Sequence, residues 1–135
     1  MRINYRELNG YKYQLLEDYD FETGWSLPEN IEGVNEWVEL TKDGILTFKA
    51  GYCWDGPSGP TFDTESSMRA SLIHDGLYQL IREGWLELER FRPLADEILR
   101  RVGVEDGMWR WRAWVWKKMV MRYARKAAIE EGEPR

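Results

Sequence analysis

Residues 51–63, GYCWDGPSGPTFD, contain three glycines and two prolines, and no other stretch constrains the fold as much. Each proline removes a backbone donor and each glycine permits positive φ, so the stretch cannot continue a strand or a helix. It suits an ordered loop that bends back closely on itself. Hydrophobic periodicity changes character across it. Ahead of it residues alternate with the period of a half-buried strand; behind it apolar residues recur at helical spacing. The chain is therefore expected to be α+β, with a small N-terminal antiparallel sheet of three or four strands, the loop, then three helices.

In the strand region Tyr11, Tyr13 and Leu15 alternate with Lys12, Gln14 and Leu16, and Trp37-Val38-Glu39-Leu40 faces Ile45-Leu46-Thr47-Phe48 across an Asp43-Gly44 turn. Leu27 to Asn30 and Glu32-Gly33 read as turns. Helical spacing runs from Thr64 to Glu83 through Met68, Leu72, Leu77, Tyr78, Leu80 and Ile81, with Gly84 placed to end it. A second helix is expected from about Glu87 or Arg92 to Val102 on a stripe of Leu94, Ala95, Ile98, Leu99 and Val102, closed by Gly103, with Pro93 in its first turn. A third runs from Met108 to Glu130, and the polar tail to Arg135 should fray.

With 135 residues, 43% of them apolar, and eight tryptophans, the whole chain suits one domain with a dense core that needs no crosslinks. Cys53 is the only cysteine, so no intrachain disulfide forms and a reducing compartment fits best. No basic start is followed by an apolar signal core, and no apolar run reaches the length of a membrane span. These point to the cytoplasm of a host or to a virion. The net charge of −5 is unevenly spread: Met1 to Ala50 holds ten acids and five bases, Gly107 to Ile129 seven bases and no acid.

His74 is the only histidine and is followed directly by Asp75. Adjacent helical residues point about 100° apart, so the two serve different partners. In a functional reading His74 is a general base on water, because imidazole titrates near neutrality, and Asp96 on the next helix orients it. Asp75 then joins loop carbonyls and Asp55 around a divalent cation such as calcium, which prefers oxygen ligands. Tyr78, one turn beyond His74, can hydrogen-bond to the acids. In the bland reading the histidine only pins two helices, Asp96 pairs with Arg92 at i−4, and a helical wheel sets Asp96 off the stripe of Leu94, Ile98 and Val102. WDGPSGPT either cradles an ion or phosphate or simply crosses from sheet to helix, and Cys53 and Trp54 read as packing residues.

The order Trp54-Asp55-Gly56-Pro57-Ser58-Gly59-Pro60, His74-Asp75-Gly76-Leu77-Tyr78 and Arg92-Pro93-Leu94-Ala95-Asp96 resembles a phage and prophage family known only as a domain of unknown function. Its members show a D-G-x-S/T loop, an H-D-x-L-Y helix and an R-x-x-A-D helix. The same order is more distantly similar to phospholipase A2, where a glycine-rich calcium loop precedes an H-D helix. That resemblance implies His74 as base, Asp75 as calcium ligand, Asp96 as orienter, and the carbonyls of Trp54 and Gly56 as loop ligands. Three features depart from it: the disulfides of that family are absent, the loop lacks its Y-G-C-x-C-G spelling, and an N-terminal sheet is added.

On the third helix Trp109, Ala113, Trp116, Val120, Tyr123 and Ala127 gather on one face as a core stripe. Trp111 and Trp114 fall on the other side among Arg110, Lys117, Lys118, Arg122 and Arg125. Such a face suits an anionic lipid surface, nucleic acid, or burial against the acidic sheet or another subunit, including a homo-oligomer. A net-acidic chain makes nucleic acid the less favoured of these. Two functions are expected to compete. One is a phage-derived hydrolase of an ester in lipid or cell envelope. The other is a non-catalytic virion, tail or assembly component that contacts phage structural proteins and uses the His-Asp motif as a fastener.

Overall fold

A computed structural model describes residues 3–8, 12–56 and 65–132, with side chains from 66 to 122 in the last segment. The architecture is α+β with strands N-terminal and helices C-terminal: β1 (Tyr5–Glu7), β2 (Tyr13–Leu15), β3 (Tyr19–Glu22), β4 (Val38–Leu40), β5 (Ile45–Phe48), β6 (Cys53–Trp54), α1 (Glu65–Arg82), α2 (Leu88–Glu105) and α3 (Arg110–Gly132). The chain divides into two compact units, Met1–Gly56 and Pro57–Arg135.

The first unit holds two three-stranded antiparallel sheets, in the orders β1-β2-β6 and β3-β5-β4. They form where a single sheet was expected, and the cause is local. The stretch from β2 into β3 pairs with the stretch from β5 into β6, and both bend at the same level, at 16–18 and 49–51. There the Asp18 carboxylate accepts from the Ala50 N–H at 2.8 Å, and Gly51 takes φ +99°, a conformation that favours glycine. Within each sheet the expected alternation holds. Tyr13, Leu15, Val38, Leu40, Leu46 and Phe48 are buried, with Leu40 registered against Leu46 and Val38 against Phe48. The expected hairpin is present. Gly44 closes it at φ +87°, where a Cβ would stand 2.3 Å from the Trp25 carbonyl oxygen, so no larger residue fits. Tyr11 of the expected first strand lies outside the described residues.

The second unit is an antiparallel succession of three helices. Gly84 ends α1 as expected, with φ +87° and with Trp85 N–H reaching back to the Leu80 carbonyl at 2.9 Å. Three expectations fail. Gly103 does not end α2, which continues to Glu105; Gly107, at φ +105°, follows the last turn instead. Gly103 is buried near Met108 and Trp116, so its small size serves packing. Because α2 starts at Leu88, Pro93 lies inside it, exposed, and removes the helical hydrogen bond to the Glu89 carbonyl. Leu94 is 40% exposed; the buried arc runs instead through Phe91, Ala95, Asp96, Ile98, Leu99, Val102 and Gly103. The arc is broad because α2 packs on both α1 and α3.

At one end of the α1/α2 pair Arg69 grips Asp106 through two parallel bonds, Nε to Oδ2 and a terminal nitrogen to Oδ1, both 2.9 Å. It also reaches Glu105 at 3.0 Å. The Arg69 and Asp106 side chains are only 7% and 9% exposed. Between α2 and α3, Glu97 accepts from Arg100 at 2.6 Å and from Lys117 at 3.2 Å.

Candidate active site

Successive turns of α1 present His74 and Tyr78 on one face, four residues apart, and α2 brings Asp96 to meet both. His74 Nε2 stands 2.7 Å from Asp96 Oδ1, and the Tyr78 hydroxyl donates to that same oxygen at 2.9 Å. The imidazole and phenol rings lie with centroids 4.3 Å apart. Asp96 is completely buried and His74 is 7% exposed.

Proton positions follow from the electrostatics. Burial pushes the Tyr78 phenol far above its ordinary 10.0, and the neighbouring Asp96 charge and hydrogen bond push it the same way, against the opposing pull of Arg92. Tyr78 therefore stays protonated and donates. Oδ1 of Asp96 is left as an acceptor, and in neutral His74 the Nε2 carries the hydrogen. Nδ1 then holds the free lone pair, and among the described residues it has no hydrogen-bond partner. The second oxygen of Asp96 is buried and, among the described residues, has no hydrogen-bond partner. A buried carboxylate oxygen so placed costs free energy that a complete network would not.

No nucleophilic side chain is bonded to His74 among the described residues. Ser71 Oγ donates to the Met68 carbonyl at 2.9 Å. Cys53 is exposed in the first unit and turned to the Gly51 carbonyl at 3.4 Å. The arrangement suits activation of water.

Of the expected metal set, Asp75 is half-buried on α1, beside His74 in sequence. Trp54, Asp55 and Gly56 belong to the first unit. Trp54 is buried in a cluster with Tyr5 and Tyr13, Asp55 is exposed, and at Gly56, with φ +87°, a Cβ would stand 2.5 Å from the Tyr13 ring. Packing alone accounts for that glycine. Residues 57–64 of the loop lie outside the described ones. Calcium takes about six to eight oxygens, and among the described residues no three His, Cys, Asp or Glu side chains gather for one ion. Asp75 alone does not make a calcium cage. Arg92, expected beside Asp96, is half-buried and makes no ion pair with it among the described residues; its charge acts on Tyr78.

No family model matches the chain, and neither a curated protein nor a solved structure resembles it at a significant level.

The basic helix departs from expectation at two positions. Trp109 is 72% exposed rather than in the core. It precedes the helix, its carbonyl accepting from Ala113 N–H at 2.9 Å, so a wheel drawn through it misplaces its side chain. Lys117 is held by Glu97 and leaves the outward group. Trp111, Trp114, Arg110 and Lys118 are exposed as expected, while the side chains of Tyr123, Arg125 and Ala127 lie outside the described residues. The Arg69 clamp escaped the sequence reading; its one signal was an arginine among apolar residues at the start of α1.

Proposed function

We propose that the chain is a hydrolase of phage or prophage type that uses His74 as a general base on water to cleave an ester of lipid or cell envelope. The observation that carries this reading is the single buried oxygen of Asp96, which takes both His74 Nε2 and the Tyr78 hydroxyl and leaves Nδ1 as the basic atom. Water at Nδ1 gives a proton to the ring as its oxygen bonds to the ester carbonyl carbon. The tetrahedral intermediate then collapses, the bond to the alcohol oxygen breaks, and the departing alkoxide takes the proton back from Nδ1. Asp96 holds the ring's orientation and stabilises the transient imidazolium. Such a positioned base contributes about 10²–10⁴-fold in rate. A bound divalent cation would supply positive charge to the carbonyl oxygen, with Asp75 as its carboxylate; no step above depends on it.

A second reading, a virion or assembly protein in which the same residues fasten α1 to α2, is favoured by one observation, the 7% exposure of His74. Turnover of nitrophenyl esters and of phospholipid, measured beside the melting temperature, separates the two. The hydrolase requires His74→Ala to lose turnover by about 10²-fold or more while the fold persists. Absence of any ester turnover in the parent protein, or turnover that survives His74→Ala, would leave only the fastener.

A further inference from the structure

We infer that the outward face of α3 is a docking surface for an anionic phospholipid bilayer. Trp111, Trp114, Lys118 and Arg122 recur at three- and four-residue spacing and are all exposed, which places them in one stripe. That stripe is diametrically opposite Ala113, Trp116 and Val120, which are 0%, 0% and 5% exposed. Trp111 and Trp114 are 64% and 55% exposed, and Trp109 just before the helix 72%. Lys118 Nζ lies 5.3 Å from the centre of the Trp114 ring, so ammonium and indole occupy one level.

Three features commit the face to a bilayer. Indole rings settle at the headgroup level of membranes, where one end is apolar and the other wet. Cations at the same level attract anionic headgroups. From Gly107 to Ile129 there are seven bases and no acid, in a chain of net charge −5, so this segment matches an anionic surface where the rest of the chain does not. A second copy of the chain meets the same face poorly, because a two-fold contact would bring Lys118 and Arg122 against their equivalents with no acid to pair them. Single-stranded nucleic acid is held in grooves that track its backbone, whereas this is the convex side of a helix. No helix among the described residues is long and apolar enough to cross a membrane, so the contact is at the surface. It requires nothing of His74 and goes beyond the hydrolase reading.

Co-sedimentation with vesicles tests it, using phosphatidylcholine alone and phosphatidylcholine with an equal part of phosphatidylglycerol. The protein is expected to bind the anionic vesicles and not the zwitterionic ones. Loss of partial indole burial in Trp111→Ala and Trp114→Ala weakens binding by about tenfold each. Lys118→Ala weakens it about fivefold, and salt weakens it throughout. All three positions are exposed, so an unchanged melting temperature shows that the fold is intact. His74→Ala is expected to bind as the parent does, which keeps this result separate from the hydrolase reading. Failure to bind anionic vesicles, or binding indifferent to both tryptophans, overturns the proposal. So does tryptophan-dependent retention on single-stranded DNA without vesicle binding, or a dimer in solution that Trp111→Ala dissolves.

Discussion

Two of the buried polar links that join α1 to α2 are built differently. At the helix ends Arg69 meets Asp106 through two parallel bonds and Glu105 through a third. In the middle one oxygen of Asp96 receives both His74 and Tyr78 while the other has no partner among the described residues. The first is what a fastener requires, a planar guanidinium whose fork matches a carboxylate. The second is a poor fastener, since a carboxylate oxygen is left without compensation in the core. What it achieves instead is the orientation of one imidazole with a basic nitrogen to spare. Incomplete satisfaction beside a complete example of the same task is what supports the role proposed for the middle link.

The sharpest way to break the comparison is at the ends. Arg69→Ala leaves Asp106 buried and uncompensated, and should cost about 3–5 kcal/mol, read from the urea midpoint, while under the proposed function the folded fraction would keep the parent's ester turnover. A loss below about 1 kcal/mol would show that the clamp is no stronger than a surface pair and remove the contrast.

Tyr78→Phe sharpens the middle. It deletes one bond to Asp96 and should cost about 1–2 kcal/mol, lowering kcat with KM little changed if Tyr78 positions His74 through Asp96. The same variant has an alkaline signature. Because the folded phenol titrates above its ordinary 10.0, the parent gains stability from Tyr78 below pH 10 and loses it as pH rises further, by about 1.4 kcal/mol per pH unit. Tyr78→Phe should flatten that slope. An identical alkaline profile in both proteins would show that the phenol is not held protonated.

Asp75 offers a smaller effect. If it holds a cation beside the base, calcium at ten times its dissociation constant should stabilise the parent by about 1.4 kcal/mol, and Asp75→Asn should abolish the shift in melting temperature. Curves that calcium leaves unmoved in both proteins would remove the metal role from Asp75. Smallest is Glu97→Gln, which frees Arg100 and Lys117 at a half-exposed site and should cost a few tenths of a kcal/mol. The Arg100 hydrogen bond above all holds the Glu97 carboxyl below its ordinary 4.5. That contribution is therefore present above pH 4.5 and fades as acid carries the pH through the lower folded value, a loss the variant should not show.

Much of this was legible in the residues. The change from alternation to helical spacing across 51–63, the Asp43-Gly44 turn and the Gly84 stop depend on neighbours in sequence, and they hold. The reading of all of 51–63 as loop does not, because Cys53–Trp54 at its head pair with β2 as β6 ahead of the first proline. His74 and Tyr78 share a face because four residues make about one turn. Asp96 was legible as a partner but not as a core residue, because Leu94 drew the wheel to one side while α2 buries an arc broad enough to meet two helices. Gly103 looked like a stop because packing and capping use the same residue. The position of Trp109 depended on which residue begins α3, and the Arg69 clamp joins residues far apart in sequence that only the helix pairing brings together.

The coincident bends at 16–18 and 49–51 carry a consequence for how the first unit tolerates change. Two strands paired along their whole length can slide past each other by two residues and keep the same faces inward. Here they cannot, because each bend must meet the other and Asp18 must find the Ala50 N–H. The kink indexes the ribbon, so the alignment of each sheet is set by the other. A residue inserted at 16–18 would throw both out of step.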